Sequence, residues 1–238
     1  MLNGVAVMAH SRFALVIFDC DGVLVDSELI TNRVFTKMLN ELGVAVSTEE
    51  AFERFVGRSF AQCLEMIAGL LGREVPADFE RQYHQRSATA LKSELKAVPG
   101  VEAALKAIRV PYCVASNGSH EKMQTTLGLT GLLPKFKGKL FSVSEVARGK
   151  PFPDVFLHAA AKSDVAPADC AVIEDTPTGV SAGVAAGMTV YGYCAHTPAH
   201  RLIAAGAHGT FERMGDLPEL LLDAAALRGP GDICSKQF

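Results

Sequence analysis

Tryptophan is absent from the 238 residues, no two cysteines form a Cys-x-x-Cys pair, and neither sign of charge dominates. Long apolar runs are missing as well. Each absence excludes something. With 26 acidic against 23 basic residues the net charge is −3, so no field is available to hold a polyanion, which argues against a nucleic-acid partner. A phosphorylated ligand would need positive charge placed locally. The six cysteines (20, 63, 113, 170, 194 and 234) are scattered, without the spacing of a zinc or dithiol site. Cys20, Cys113 and Cys170 fall in or beside apolar runs that read as core strands, as expected of reduced, buried thiols in a reducing compartment. The first twelve residues hold too short an apolar run for a signal peptide, and no segment reaches membrane-spanning length. The expectation is a cytoplasmic chain with no membrane partner.

A hydrophobic content of 49% and a mean hydropathy of +0.20 suit an α/β protein of one large or two modest domains. The apolar run Ala14-Leu15-Val16-Ile17-Phe18 reads as a buried strand. A helical pattern then persists for some seventy residues. Ile30, Val34, Phe35, Met38, Leu39 and Leu42 repeat at helical spacing up to Gly43. Ser47-x-x-Glu50 is a capping box ahead of Phe52, Phe55 and Val56, and Gly57 ends that helix. Phe60, Leu64, Ile67 and Leu71 mark a third helix, closed by Gly72. Pro76 opens a fourth, with Phe79, Tyr83, Leu91 and Leu95 on its apolar side. Val98-Pro99-Gly100 breaks the pattern. Strands at 112–115, 140–143, 171–173 and 189–193 then alternate with helices ending at Ile108 and Leu127 or spanning 154–161 and 179–187. Parallel strands joined by helices form a doubly wound, mostly parallel sheet. The expected organisation is a Rossmann-like α/β core of residues 1–26 plus 97–238 with an inserted all-helical cap of residues 27–96. The tail from Gly229 is expected to be loosely held.

The first strand ends in Asp19-Cys20-Asp21-Gly22. Ligands of open α/β sheets bind beyond the carboxyl ends of strands, and alternation along an extended chain puts Asp19 and Asp21 on one side. Two like charges that close need a cation between them or a raised pKa on one. Magnesium with a phosphorylated substrate meets that need, and so does general acid/base chemistry. A strand-to-turn junction with two solvated aspartates has the same sequence. Three later segments share the strand-end or loop character: Val114-Ala115-Ser116-Asn117-Gly118, Arg148-Gly149-Lys150-Pro151 and Ala171-Val172-Ile173-Glu174-Asp175-Thr176.

An acid pair, a serine, a lysine and a second acid pair, in this order, resemble the four motifs of the haloacid dehalogenase superfamily. Phe18-Asp19-Cys20-Asp21-Gly22-Val23-Leu24-Val25-Asp26-Ser27-Glu28 is similar to the branch that holds β-phosphoglucomutase and phosphoglycolate phosphatase. Cys113 to Gly118 with Lys122-Met123-Gln124, and Gly149-Lys150-Pro151, look most like bacterial phosphatases acting on 6-phosphogluconate. The resemblance spans roughly Phe13 to Tyr193, and the four motifs are specific together where each alone is weak.

The resemblance implies a Mg²⁺-dependent phosphatase for a small phosphorylated sugar or sugar acid, a monomer or weak homo-oligomer. Asp19 would be the nucleophile that forms an aspartyl-phosphate. Asp21 would be the general acid and base, its backbone carbonyl also reaching the metal. Asp175 would be a further metal contact, with Glu174 beside it ligating directly or through water, and the same acids could cap the helix before Pro177. Ser116, Asn117 and Gly118 would bind the phosphoryl group, and Lys150 would balance its charge. Arg58 and Ser59 sit where the family carries its substrate-specificity loop, Arg58 being placed to grip a distal anionic group. Two enzymatic alternatives share the motifs: phosphoglycolate phosphatase and a β-phosphoglucomutase-like mutase. The mutase carries a cap histidine five residues after the aspartate of its Asp-Ser pair, where this chain has Thr31. A receiver-like phospho-switch also pairs acids, a hydroxyl and a lysine on such a sheet, but would be about half this length.

Overall fold

The computed structural model describes residues 11–55 and 60–222. The expected Gly57 helix end, Arg58, Ser59, Cys234 and the 229–238 tail lie outside them. Strand β1 (Leu15–Phe18) is fully buried, as a continuous apolar run requires when helices cover both faces. It is followed by α1 (Glu28–Leu42), α2 (Thr48–Phe55), α3 (Phe60–Leu71) and α4 (Phe79–Glu94). Then come α5 (Val101–Ala107), β2 (Tyr112–Ser116), α6 (His120–Leu129), β3 (Leu140–Ser142), α7 (Asp154–Lys162), β4 (Cys170–Glu174), α8 (Pro177–Ala185) and β5 (Thr189–Tyr193). The described residues close with α9 (Ala199–Ala204), β6 (Gly209–Phe211) and α10 (Leu217–Leu220).

The six strands form one parallel sheet in the order β3-β2-β1-β4-β5-β6. Its order reverses between β1 and β4, so the carboxyl ends of these two central strands border the crevice of a doubly wound sheet. Period-two alternation sorts the strand side chains onto two faces. Val16, Phe18, Val114, Ala171 and Ile173 pack under α5, α6 and α10, while Leu15, Ile17, Cys113, Ala115 and Val172 pack under α7, α8 and α9. Cys20, Cys113 and Cys170 are buried and unbridged. No helix of the described residues is long and apolar enough to cross a membrane.

Helices α1 to α4 form a bundle with an apolar cluster of its own. Phe35 is its centre, in edge-on contact with Phe55, Phe60, Phe79 and Tyr83. The capping box is made as expected: Ser47 N–H donates to Glu50 at 2.8 Å and Glu50 N–H to Ser47 Oγ at 3.1 Å. Two adjacent linkers join the bundle to the sheet. Val25 bridges Ala97 in antiparallel fashion, Asp26 N–H donates to Lys96 O at 3.0 Å, and Val98 N–H donates to Leu24 O at 3.0 Å. The bundle is thus inserted only a few residues beyond the end of β1.

The expected boundaries shift where local capping decides. Helix α8 begins at Pro177 rather than Gly179 because the Thr176 side chain accepts Gly179 N–H. Helix α4 begins at Phe79 after a turn in which Phe79 N–H reaches Pro76 O at 2.9 Å, and Leu95 lies past its end in extended geometry. Val143 leaves β3 for a short turn capped by Ser142 and Glu145.

Candidate active site

Asp19, Asp21, Ser116, Asn117, Gly118, Lys150, Glu174 and Asp175, singled out from sequence, meet at the carboxyl ends of β1, β2 and β4. Asp19 follows β1 directly and is 7% exposed. Gly22 then reverses the chain with φ +76°, a conformation that favours glycine. A side chain there would also be displaced by Asp175, since a Cβ would lie 2.0 Å from Asp175 Oδ2. Glycine at 22 therefore lets the turns after β1 and β4 touch.

Lys150 reaches into the site from the turn before α7. Its Nζ donates to Asp19 Oδ1 at 2.5 Å, to Glu174 Oε1 at 2.7 Å and to Ala115 O at 2.9 Å. All three ammonium protons are used, and its side chain is 4% exposed. Burial works against its charge, but Asp19 and Glu174 more than offset this and hold its pKa above the ordinary lysine value. Asn117 fixes the same turn, accepting Lys150 N–H at 2.9 Å and donating to Lys150 O at 3.3 Å. Its amide is thus engaged with the backbone of the lysine. Ser116, 2% exposed, accepts Gly118 N–H at 3.0 Å, which leaves its hydroxyl proton to be given elsewhere.

Glu174 has its oxygens filled. Beyond Lys150 it accepts Asp175 N–H and Thr176 N–H at 3.1 Å and the Thr176 hydroxyl at 3.0 Å. The cap of α8 is therefore Thr176, not the acid pair, and Glu174 braces both that turn and the lysine. Asp175 is the opposite case. It is 2% exposed and both of its oxygens are buried without a hydrogen-bond partner. Burial, then the charges of Glu28, Glu174 and Asp19, push its carboxyl well above the usual range. Asp19 is pushed up to about 7, chiefly by burial, with Lys150 opposing. Asp19, Glu174 and Asp175 each offer a ligand atom within 4.8 Å of the other two. Unpaired buried carboxylates are costly, and an all-oxygen set with two unpartnered oxygens fits a small hard divalent cation.

Asp21 stands apart from that trio. Lys122 Nζ donates to its Oδ2 at 2.7 Å and Ser27 Oγ to its Oδ1 at 2.6 Å. Burial would raise its pKa, but Lys122 and Ser27 win and hold it below the ordinary value. In this state Asp21 is the base form. Removing the ammonium in Lys122→Met is therefore expected to raise the Asp21 pKa and move the acidic limb of the kcat–pH profile to higher pH. The variant should lose a larger share of wild-type rate at about pH 5.5 than at about pH 7.5. Parallel displacement of the whole profile would remove Lys122 from control of Asp21.

Arg58 and Ser59 lie outside the described residues. A cleft of roughly 600 Å³ between the bundle and the loop after β5, lined by Asn32, Phe52, Glu53, His196, His200 and Arg201 among others, contains none of the residues above. Sequence reading gave no role to Lys122 and Ser27, whose partner Asp21 is 101 and 6 residues away respectively. Both stand in segments that carry the family resemblance. Nothing local marked Lys122 as a partner of Asp21.

A family model for haloacid dehalogenase-like hydrolases matches residues 13–187. The chain belongs to that family. Among curated proteins, 6-phosphogluconate phosphatase of Escherichia coli (strain K12) is 37% identical over 211 residues, covering 88% of this chain and 95% of the relative. A haloacid dehalogenase-like protein of unknown function from Agrobacterium tumefaciens superposes with TM-score 0.85 at 36% identity, covering 91% of this chain and 100% of the other. A family hydrolase from Deinococcus radiodurans, solved with bound phosphate and sodium, gives TM-score 0.78 at 32% identity, covering 91% and 97%. The α/β sheet with its helical insertion is the fold of this hydrolase family, and the chain is an enzyme of that type.

Proposed function

We propose that this hydrolase is a Mg²⁺-dependent phosphatase acting on a small phosphorylated sugar or sugar acid, such as 6-phosphogluconate, through an aspartyl-phosphate on Asp19. The observation that carries the reading is the pairing of a lysine-held carboxylate, Asp19, with an orphaned one, Asp175, at adjoining strand ends. Asp19 and Asp175, with the backbone carbonyl of Asp21, would hold the cation, and Glu174 would support them. When bound, the cation neutralises the carboxylates and the charge of the phosphoryl oxygens.

The rest falls to the chain's own groups. A carboxylate oxygen of Asp19 bonds to phosphorus as the ester oxygen leaves, taking a proton from Asp21. Water then attacks the acyl-phosphate, giving its proton to Asp21, and Asp19 is regenerated. The base form of Asp21, favoured by Lys122 and Ser27, suits the second half. Lys150 and the Ser116 hydroxyl supply fixed donors for the phosphoryl group, the electrostatic term on which such transfers depend. Arg58, on sequence grounds, is the candidate for a distal carboxylate. Hydrolysis is favoured over mutase chemistry by Thr31, whose hydroxyl donates to Ser27 O at 3.1 Å and Glu28 O at 3.2 Å within its own helix. It offers no general base to shuttle a phosphoryl group between substrate oxygens.

A panel of phosphorylated metabolites, assayed beside p-nitrophenyl phosphate, tests the proposal. A sugar-acid phosphate is expected to exceed p-nitrophenyl phosphate by ~100-fold in kcat/KM, since remote contacts contribute only with the natural substrate. Excess EDTA should reduce turnover to below about one hundredth. Full activity in EDTA would remove the metal from the mechanism, and inertness toward every phosphomonoester would overturn the assignment.

A further inference from the structure

Glu28 is the first residue of α1 and follows Ser27, whose hydroxyl grips Asp21. It stands where the helical bundle meets the catalytic turn. One of its carboxylate oxygens is buried without a hydrogen-bond partner. Lys122, a cation that acts on it, is engaged with Asp21 at 2.7 Å. An acid in the first turn suits the dipole of α1, but a solvated glutamate would do so equally well. Burying an unpaired oxygen destabilises the fold unless a ligand meets it.

The ligand is indicated by the surroundings. Of the individual charges acting on Asp175, that of Glu28 is the largest, ahead of Glu174 and Asp19. Glu28 and Asp175, two carboxylates from different lobes, thus each have oxygen left unpartnered, and the residue before Glu28 touches the catalytic turn through Asp21. Yet Glu28 falls outside the trio whose ligand atoms lie within 4.8 Å of each other. It is not one of that set, yet its charge acts on Asp175, which suits a group that binds through water. Magnesium keeps several of its waters, and carboxylates beyond the ligands commonly orient them.

We propose that Glu28 is a positioning residue of the metal centre, accepting hydrogen bonds from waters of the cation held by Asp19 and Asp175. It would thereby tie α1 to the core through the ion. This deepens the phosphatase reading and rests on it.

The test is calorimetric titration of the full chain with MgCl₂ in the absence of substrate, for wild type, Glu28→Gln and Asp175→Asn, with melting curves in EDTA and in Mg²⁺. Glu28→Gln keeps the shape of the side chain but removes its charge and one acceptor. It should bind Mg²⁺ about tenfold more weakly than wild type. Its metal-free Tm should match or exceed that of wild type, because a partly buried carboxyl among other acids is gone, while the rise in Tm on adding Mg²⁺ shrinks. An unchanged Mg²⁺ Kd overturns the inference. So does a lower metal-free Tm, which would make Glu28 a structural acid. If Asp175→Asn lowers affinity and Glu28→Gln does not, only the role of Glu28 fails. If wild type itself shows no Mg²⁺ binding, the metal-dependent reading fails with it.

Discussion

Asp19→Asn is expected to abolish turnover while leaving the chain folded. Asparagine keeps the size of the side chain and an oxygen for Lys150, but its amide cannot displace the ester oxygen from phosphorus. Activity should drop below about one hundredth of wild type, and no phosphate should be captured covalently. Retention of more than that would take the nucleophile's role from Asp19. Stability should respond in the opposite direction. The folded-state pKa of Asp19 is raised from 3.8 to about 7, so the native state binds the proton more tightly than the unfolded chain. This group's contribution to stability therefore falls as pH rises between those two values. Asparagine removes that slope, and the metal-free variant should be at least as stable as wild type at neutral pH. Urea titrations of both proteins across that window, in EDTA, would check it.

Lys150→Ala should cost both activity and fold. The ammonium is the shared partner of two buried carboxylates and a strand-end carbonyl, and alanine leaves all three without it. Breaking a buried ion pair from one side typically costs ~3–5 kcal/mol, a large part of an ordinary domain's stability. The ordinary benefit of a raised lysine pKa is fully present through neutral pH, so the deficit should be large at about pH 7.5. It should narrow as the pH falls and Asp19 takes up a proton. Turnover should fall by ~10³ even where the variant is folded, since a fixed charge facing the phosphoryl group is lost. A stable Lys150→Ala protein with near-normal rate would show that the lysine is a bystander.

Legibility followed the range of the forces involved. Strands β1, β2 and β4 were evident because both faces are covered, leaving uninterrupted apolar runs. The capping box at Ser47 and Glu50 was evident because its two hydrogen bonds close within four residues. Strand β6 is three residues long and helix α9 six, too short for periodicity to emerge, and neither was anticipated. The turn after β4 shows how near neighbours mislead: Glu174 and Asp175 have the chemistry of caps, but geometry gives the cap to Thr176. The site was legible as three strand-end segments and one loop, whereas the division of labour within it was not. That Glu174 is saturated and Asp175 orphaned depends on which carboxylate the Lys150 ammonium reaches, and no local pattern encodes that. The Asn117 amide holds the backbone of Lys150, 33 residues away in sequence, a contact that no local pattern announces.

The paired linkers at Val25 and Ala97 have a consequence for how such an enzyme can change. Because the chain leaves and re-enters the sheet side by side, with Asp26 N–H on Lys96 O and Val98 N–H on Leu24 O, the sheet experiences the whole helical insertion as one closed turn. Lengthening a closed loop adds little entropy cost, and no strand register depends on what lies between the two linkers. Helices can be traded, enlarged or reshaped there while Asp19, Lys150 and Asp175 keep their places. The sheet and the insertion can thus diverge on separate stretches of one chain, joined at the hydrogen-bonded linkers and at the Ser27 hydroxyl on Asp21.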